Sequence, residues 1–497
     1  MKYISTRGNY EGVSAAEAIR LGMVPEGGLF VPETVPAFSR DEIYQMNELK
    51  YQEIAYQILE KFLTDYSQEE LKEVIDAAYN ENSFVDQDIA PVVKLDDNLY
   101  ILELWHGPTA AFKDMALQIL PHLLVKAINK SDSDKEVVIL VATSGDTGKA
   151  ALEGFKDVDG IKIIVFYPDD GVSKVQEAQM LTTEGDNTTV VSVKGNFDDC
   201  QSAVKEIFAD KEFNNLINHN NYQFSSANSI NWGRLVPQII YYFSTYAYLL
   251  RDERISKGEK INISVPTGNF GNILAAYYAS QMGLAVNKFI CASNTNKVLT
   301  DFLNTGIYDI NRDFHKTISP SMDILISSNL ERFLFEMTGH DTDKINQWYK
   351  DLKETGKFEV DEATRKKIQG LFVGEWTTEE ETKDIITEVF KEYDYTLDTH
   401  TAVGVDSYQK YVAETRDNTI TIIDSTANPY KFSKSVLEAL EGDVAEENEF
   451  KILKKLNEVT GLEIHRGLRG LEEKEIRHNR NCNTTAIKAE VKDILGI

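Results

Sequence analysis

Ile261-Asn262-Ile263-Ser264-Val265-Pro266-Thr267-Gly268-Asn269-Phe270-Gly271-Asn272 runs straight into a helical segment, Ile273–Met282. The first five residues are largely β-branched, which marks a strand, and the glycine-containing turn ends where a helix begins. The same strand–loop–helix order recurs at Val137–Val141, then Ala142-Thr143-Ser144-Gly145-Asp146-Thr147-Gly148, then a helix from Lys149. It appears again at Thr419–Ile423 before Asp424-Ser425-Thr426-Ala427-Asn428-Pro429, and further strands are read at Leu99–Leu104, Ile161–Phe166 and Thr189–Val193. Most of these runs are continuous rather than alternating, as in strands buried on both faces of a parallel sheet. The expected fold class is α/β, with parallel sheets covered by helices on both faces.

At 497 residues the chain exceeds one hydrophobic core. We expect a helical N-terminal region at 1–90, a smaller α/β unit at 91–240, a larger one at 241–440 and a helical tail at 441–497. Residues 300–395 break the rhythm and read as a helical insertion. The formal charge of −28, from 80 acidic and 52 basic residues, argues against nucleic acid or an anionic membrane as partner. Three scattered cysteines suggest neither disulfides nor zinc, so no metal and a cytoplasmic setting are expected. Leu235–Leu250 is interrupted by Gln238, Ser244 and Thr245 and reads as a buried helix.

Four stretches carry chemistry. His106-Gly107-Pro108-Thr109-Ala110-Ala111-Phe112-Lys113-Asp114 sets one lysine behind small and apolar neighbours. A dry setting lowers an amine's pKa, which makes Lys113 a candidate Schiff-base lysine for an aldehyde cofactor. Taken alone, it reads first as a solvated lysine at a helix start, and the other motifs along the chain overturn that reading. The Pro266–Asn272 loop suits a single phosphate, since glycines permit close approach and a helix N-terminus offers free N–H groups. It lacks both the P-loop and the dinucleotide signatures; a simple helix-capping turn is its alternative. Ala142–Gly148 offers a second anion-sized space, in which Asp146 is alternatively a plain cap. Ser225-Ser226-Ala227-Asn228-Ser229-Ile230-Asn231-Trp232-Gly233-Arg234 gathers amides, hydroxyls and a guanidinium shaped to grip phosphate, with a surface salt bridge as the other reading of Arg234.

In this order, and together with Gly27–Pro32, Gly195–Asp198 and Ser425–Phe432, these motifs resemble the threonine synthases, pyridoxal-phosphate enzymes of the tryptophan-synthase-β-like fold (fold type II). The resemblance implies that Lys113 forms the Schiff base and that Gly268, Asn269, Phe270, Gly271 and Asn272 hold the cofactor phosphate. It implies that Thr426 meets the pyridine nitrogen, and that Ser144, Asp146 and Thr147 form the substrate carboxylate loop, with a place near the cofactor ring oxygen as the other reading of Asp146. Asn228, Ser229, Asn231 and Arg234 match positions that receive the substrate phosphate. The implied reaction, last in threonine biosynthesis, converts O-phospho-L-homoserine and water to L-threonine and phosphate, by a monomer or homodimer. Two positions depart from the pattern: Thr399 stands before His400 where proline is common, and Asn428 replaces a histidine. A serine/threonine dehydratase of the same fold is the nearest rival, and a cofactor-binding sensor protein the next. Neither needs a second phosphate site.

Overall fold

A computed structural model describes residues 1–131, 135–143, 145–169 and 172–497, with the side chains of Phe197 and Asp198 left aside. Two sheets organise the chain. The larger runs, edge to edge, Phe372–Trp376, Val286–Ser293, Ile261–Pro266, Thr421–Ser425, Leu99–Glu103 and Val92–Asp96. Its strands are parallel except the last. The smaller sheet is parallel throughout, in the order Arg480–Asn483, Thr188–Lys194, Ile161–Pro168, Glu136–Ala142 and Tyr222–Ser225. Continuous apolar strands such as Val137–Val141 are buried on both faces, as a helix-covered parallel sheet requires.

The helix Trp232–Arg251 runs through the main core with nearly every residue buried. Fully buried Trp232 packs there against Tyr3, Phe62 and Tyr278, at ring distances of 5.3, 5.6 and 5.6 Å. Helices Tyr51–Phe62 and Gln68–Ala78 form where their periodicity predicts, the second opened by a Ser67–Glu70 capping box. Among the described residues no helix is long and apolar enough to cross a membrane.

Several expected boundaries shift. Strands Val92–Asp96 and Leu99–Glu103 join the larger sheet, so the 91–240 stretch serves both halves. The 300–395 stretch is not purely helical: it supplies the edge strand Phe372–Trp376, whose Phe372 ring stacks on Phe289 at 4.8 Å. The tail likewise adds a strand, Arg480–Asn483, beside Thr188–Lys194. Arg-Asn-Cys-Asn has no strand signature; the strand forms because helix Ile487–Leu495, next in the chain, buries Ile487 and Val491 in the smaller half's core. Strand Thr421–Ser425 begins two residues later than read, because the Thr419 amide and hydroxyl are drawn into a turn by Asp417, at 2.9 and 2.6 Å.

Candidate active site

The site forms where the larger sheet's strands end. After Leu99–Glu103 the chain zips onto the segment following Thr421–Ser425: the amides of Leu104, Phe112 and Asn428 donate to the carbonyls of Ser425, Thr426 and Ala110, at 3.0, 2.8 and 3.0 Å. This places Thr426 beside the Lys113 segment. Asp114 closes the turn by accepting from the Thr109 amide and hydroxyl, at 2.8 and 2.7 Å; burial pushes its carboxyl up to about 6. A Cβ on Gly107 would meet Asp114 at 2.4 Å, so only glycine fits there.

Lys113 stands at the start of helix Asp114–Leu117, largely buried, with Nζ 3.4 Å from Ser321 Oγ and 3.6 Å from Asp146 Oδ2. Burial lowers its pKa; Asp146 opposes this, while Lys431 and Arg234 add to the lowering. The sequence reading anticipated the dry neighbours, Ala110 and Ala111, but not the nearby cations.

Asp146 opens helix Asp146–Phe155 three residues earlier than read. Gly145 precedes it at φ +130°, and a Cβ there would strike Gln176 at 2.6 Å. Thr143 Oγ1 accepts from the Gly145 and Gly148 amides, at 3.0 and 2.9 Å. Asp146 Oδ1 meets Lys431 Nζ at 2.9 Å and accepts from Gln176 Nε2 at 2.9 Å. Burial works against its charge, but Lys431 and Lys113 more than offset that and hold its carboxyl well below the usual range. A carboxylate so held repels a substrate carboxylate. The expectation that Asp146 binds one is therefore corrected: its partners are the two lysines. Thr147 lies half-buried in the same turn, while Ser144 lies outside the described residues.

The Pro266–Asn272 loop is built as an open cradle. Phe270 takes φ +61° and caps helix Gly271–Gln281 with no side-chain bond. Among the described residues no acceptor meets the amides of Gly268 to Asn272, which leaves a ring of donors at a helix N-terminus. The loop is clamped from behind. Asn329 donates through its amide and Nδ2 to the Asn269 carbonyl, at 3.0 and 3.1 Å, and Ser327 Oγ to the Gly268 carbonyl at 2.8 Å. A Cβ on Gly268 would lie 2.4 Å from the Ser321 carbonyl, which ties the cradle to the residue that touches Lys113. The Asn272 side chain points away, accepting from Tyr241 and Tyr242, so only its backbone faces the cradle.

Arg234 is 3% exposed, yet among the described residues its only side-chain bond goes to the Ala227 carbonyl, at 2.6 Å, and its Nε is buried without a partner. Burial pushes its pKa down to about 10, so the guanidinium stays charged at neutral pH. The surface salt-bridge alternative is thereby excluded. Ser229 Oγ lies 3.0 Å from Ser328 Oγ, which donates to Asn269 Oδ1 at 3.1 Å, and Asn228 is half-buried in the same loop.

Asn231 is a correction. It is fully buried and consumed by structure: Nδ2 donates to the Ile19 and Ser226 carbonyls at 3.0 and 2.9 Å, and Oδ1 accepts from the Gly233 amide at 2.8 Å. It shapes the loop rather than meeting a ligand. Asn231→Ala should cost about 2–4 kcal/mol in denaturant unfolding, from a lost N-cap and two buried carbonyls left bare.

Other residues at the site were not read from the sequence. Ser321 donates its amide to His400 Nε2 at 3.1 Å, leaving His400 Nδ1 to donate to Asp398 at 2.9 Å. Arg332, fully buried, donates to the Phe30 and Ile230 carbonyls and to Asn329 Oδ1, at 2.9, 2.5 and 2.7 Å. It thus braces both the cradle and the Arg234 loop. The two departures are explained locally. The Thr399 hydroxyl donates to the Ile318 carbonyl at 2.8 Å, and Asn428 caps the turn Pro429–Phe432 through the Tyr430 amide, at 3.1 Å.

Comparison with known proteins agrees with this geometry. Residues 2–79 match the threonine synthase N terminus, 89–381 the pyridoxal-phosphate dependent enzymes and 401–489 the threonine synthase C-terminal model. The chain is 37% identical to threonine synthase of Saccharomyces cerevisiae, over 88% of this chain and 89% of that one. It belongs to the threonine synthase family. The structure of threonine synthase from Brucella melitensis superposes with a TM-score of 0.88 at 33% identity, covering 99% of each chain, as the expected fold class requires. Human threonine synthase-like 1 is 41% identical over 90% of this chain. The chain spans about 60% of the length of that longer relative. The threonine synthase family thus accounts for the N-terminal, central and C-terminal parts alike.

Proposed function

We propose that the chain is a threonine synthase, a carbon–oxygen lyase that turns O-phospho-L-homoserine and water into L-threonine and phosphate, with pyridoxal 5'-phosphate as cofactor. The observation that carries this reading is Arg234, a buried guanidinium with an orphaned Nε and, among the described residues, no carboxylate partner, in a loop separate from the glycine cradle. One anion site would serve a cofactor alone; two match a phosphorylated substrate beside it.

The residues fit the cofactor. An uncapped helix start with free amides suits its phosphate, an amine whose pKa is lowered by burial suits its aldehyde, and Thr426, buried with no hydroxyl partner among the described residues, suits its ring nitrogen. When bound, pyridoxal phosphate supplies an electron sink for the carbons next to the substrate amine. The chain does the rest. Lys113 would hold the cofactor aldehyde, and its Nζ would carry protons between the substrate Cα and Cβ. Asp146 faces that nitrogen. Thr426 offers a neutral hydroxyl, which does not force the ring nitrogen to stay protonated as a carboxylate would. Arg234 and Ser229, with Asn228, grip the substrate phosphate and keep it oriented as it leaves Cγ. With the Gly145 and Gly148 amides already given to Thr143 Oγ1, Thr147 remains as a donor for the substrate carboxylate.

Free thiols at Cys200, Cys291 and Cys482 support work in a reducing cytoplasm. The purified protein should release phosphate from O-phospho-L-homoserine with equal threonine formation. Ammonia release from L-threonine, without phosphohomoserine turnover, would instead assign a dehydratase.

A further inference from the structure

The Lys431 side chain is completely buried, in the turn Pro429–Phe432 that follows Thr426. Lys431 thus belongs to the larger half, yet its polar contacts lie on helices of the other half. Its Nζ meets Asp146 Oδ1 at 2.9 Å, in helix Asp146–Phe155, and donates to Gln179 Oε1 at 2.7 Å, in helix Lys174–Leu181. Gln179 is itself anchored, donating through Nε2 to the Gly467 carbonyl at 3.2 Å. Gln176 Nε2 donates to the same Asp146 oxygen at 2.9 Å. With Oδ1 engaged twice, Oδ2 is left facing Lys113 Nζ at 3.6 Å, which is beyond a good hydrogen bond.

We propose that Lys431 is a positioning residue for Lys113: reaching across from the larger half, it takes one oxygen of Asp146, aims the other at the Lys113 amine and keeps that carboxylate from claiming the amine outright. An aspartate alone beside a buried lysine would hold it as a closed ion pair, protonated and unreactive. A lysine with no carboxylate near would lose its proton readily but also its orientation. Two ammonium groups sharing one carboxylate give the intermediate state. The shift at Lys113 agrees in direction: burial lowers it first, Asp146 opposes, and Lys431 and Arg234 lower it further. The charge of Lys431 also acts on Asp114, whose carboxylate it favours, and on His465, whose protonated form it disfavours. The catalytic consequence rests on Lys113 as the cofactor lysine, but the geometry concerns the amine itself.

The test is the pH profile of Lys113 acetylation in the full-length protein freed of cofactor, with trace labelled acetic anhydride and peptide mapping. Lys431→Met should move the Lys113 midpoint up by about one pH unit or more, since Asp146 is then undivided. Asp146→Asn should move it down by a similar amount. The double variant, which removes the buried pair together, should fall between Asp146→Asn and the unmodified protein, and Lys431→Arg should stay near the latter. A merely structural role would move both single variants the same way or not at all. An unchanged midpoint in Lys431→Met, or shifts of one sign in both, overturns the proposal. If Lys431→Met does not fold, a double variant at or below Asp146→Asn overturns it equally. Because no substrate is present, this outcome is independent of the phosphohomoserine assay.

Discussion

Lys113→Ala should lower kcat for phosphate release from O-phospho-L-homoserine by at least about 10³-fold, with the fold intact. On the proposed function, two separate roles disappear together, cofactor attachment and proton transfer at Cα and Cβ. The structural loss is small. The amine's contacts, Ser321 at 3.4 Å and Asp146 at 3.6 Å, are long, and Asp146 keeps the closer Lys431 at 2.9 Å. Circular dichroism and the melting temperature should therefore stay close to those of the unmodified protein. Lys113→Arg should fail as well, because a guanidinium does not shed a proton near neutral pH. Turnover surviving in both variants would remove Lys113 from the chemistry.

Arg234→Ala should cut kcat/KM by about 10²- to 10³-fold, the equivalent of about 3–4 kcal/mol, mostly through KM. The argument is one of desolvation. The guanidinium has already been stripped of water by folding and, among the described residues, holds only the Ala227 carbonyl, so a bound phosphate meets it with little further dehydration cost. In the free protein its removal bares only the Ala227 carbonyl, a cost of about 1–3 kcal/mol offset in part by no longer burying a charge. Inorganic phosphate should raise the melting temperature of the unmodified protein and do so far less in Arg234→Ala, since only binding to the folded state stabilises. Unchanged KM and kcat together with unchanged phosphate stabilisation would move the substrate phosphate elsewhere.

What could be read from the chain alone follows a physical division. The strands at 137–141, 161–166 and 261–265, the open glycine loop and the dry setting of Lys113 were legible because each is encoded by neighbours within one turn or strand. Residues that act through distant partners were not. Lys431 sits 252 positions from Gln179, and Ser321 lies 208 from Lys113. A lone lysine between Tyr430 and Phe432 gives no hint that it is buried. Arg332 likewise reads as a surface charge on an amphipathic helix, though it is fully enclosed. Asn231 misled in the opposite sense: its type and spacing suit phosphate recognition, but the same features suit a helix cap, and the cap won. Asp146 shows why motif position alone is a weak guide to role. Its loop is shaped for an anion while its side chain is one.

The most direct measurement is borohydride reduction of the protein reconstituted with pyridoxal phosphate, followed by peptide mapping of the fixed label. The account requires the label on Lys113 alone, and none on Lys431, the nearest competing amine across Asp146. A label on Lys431 or another lysine, or no fixed label at all, would contradict it.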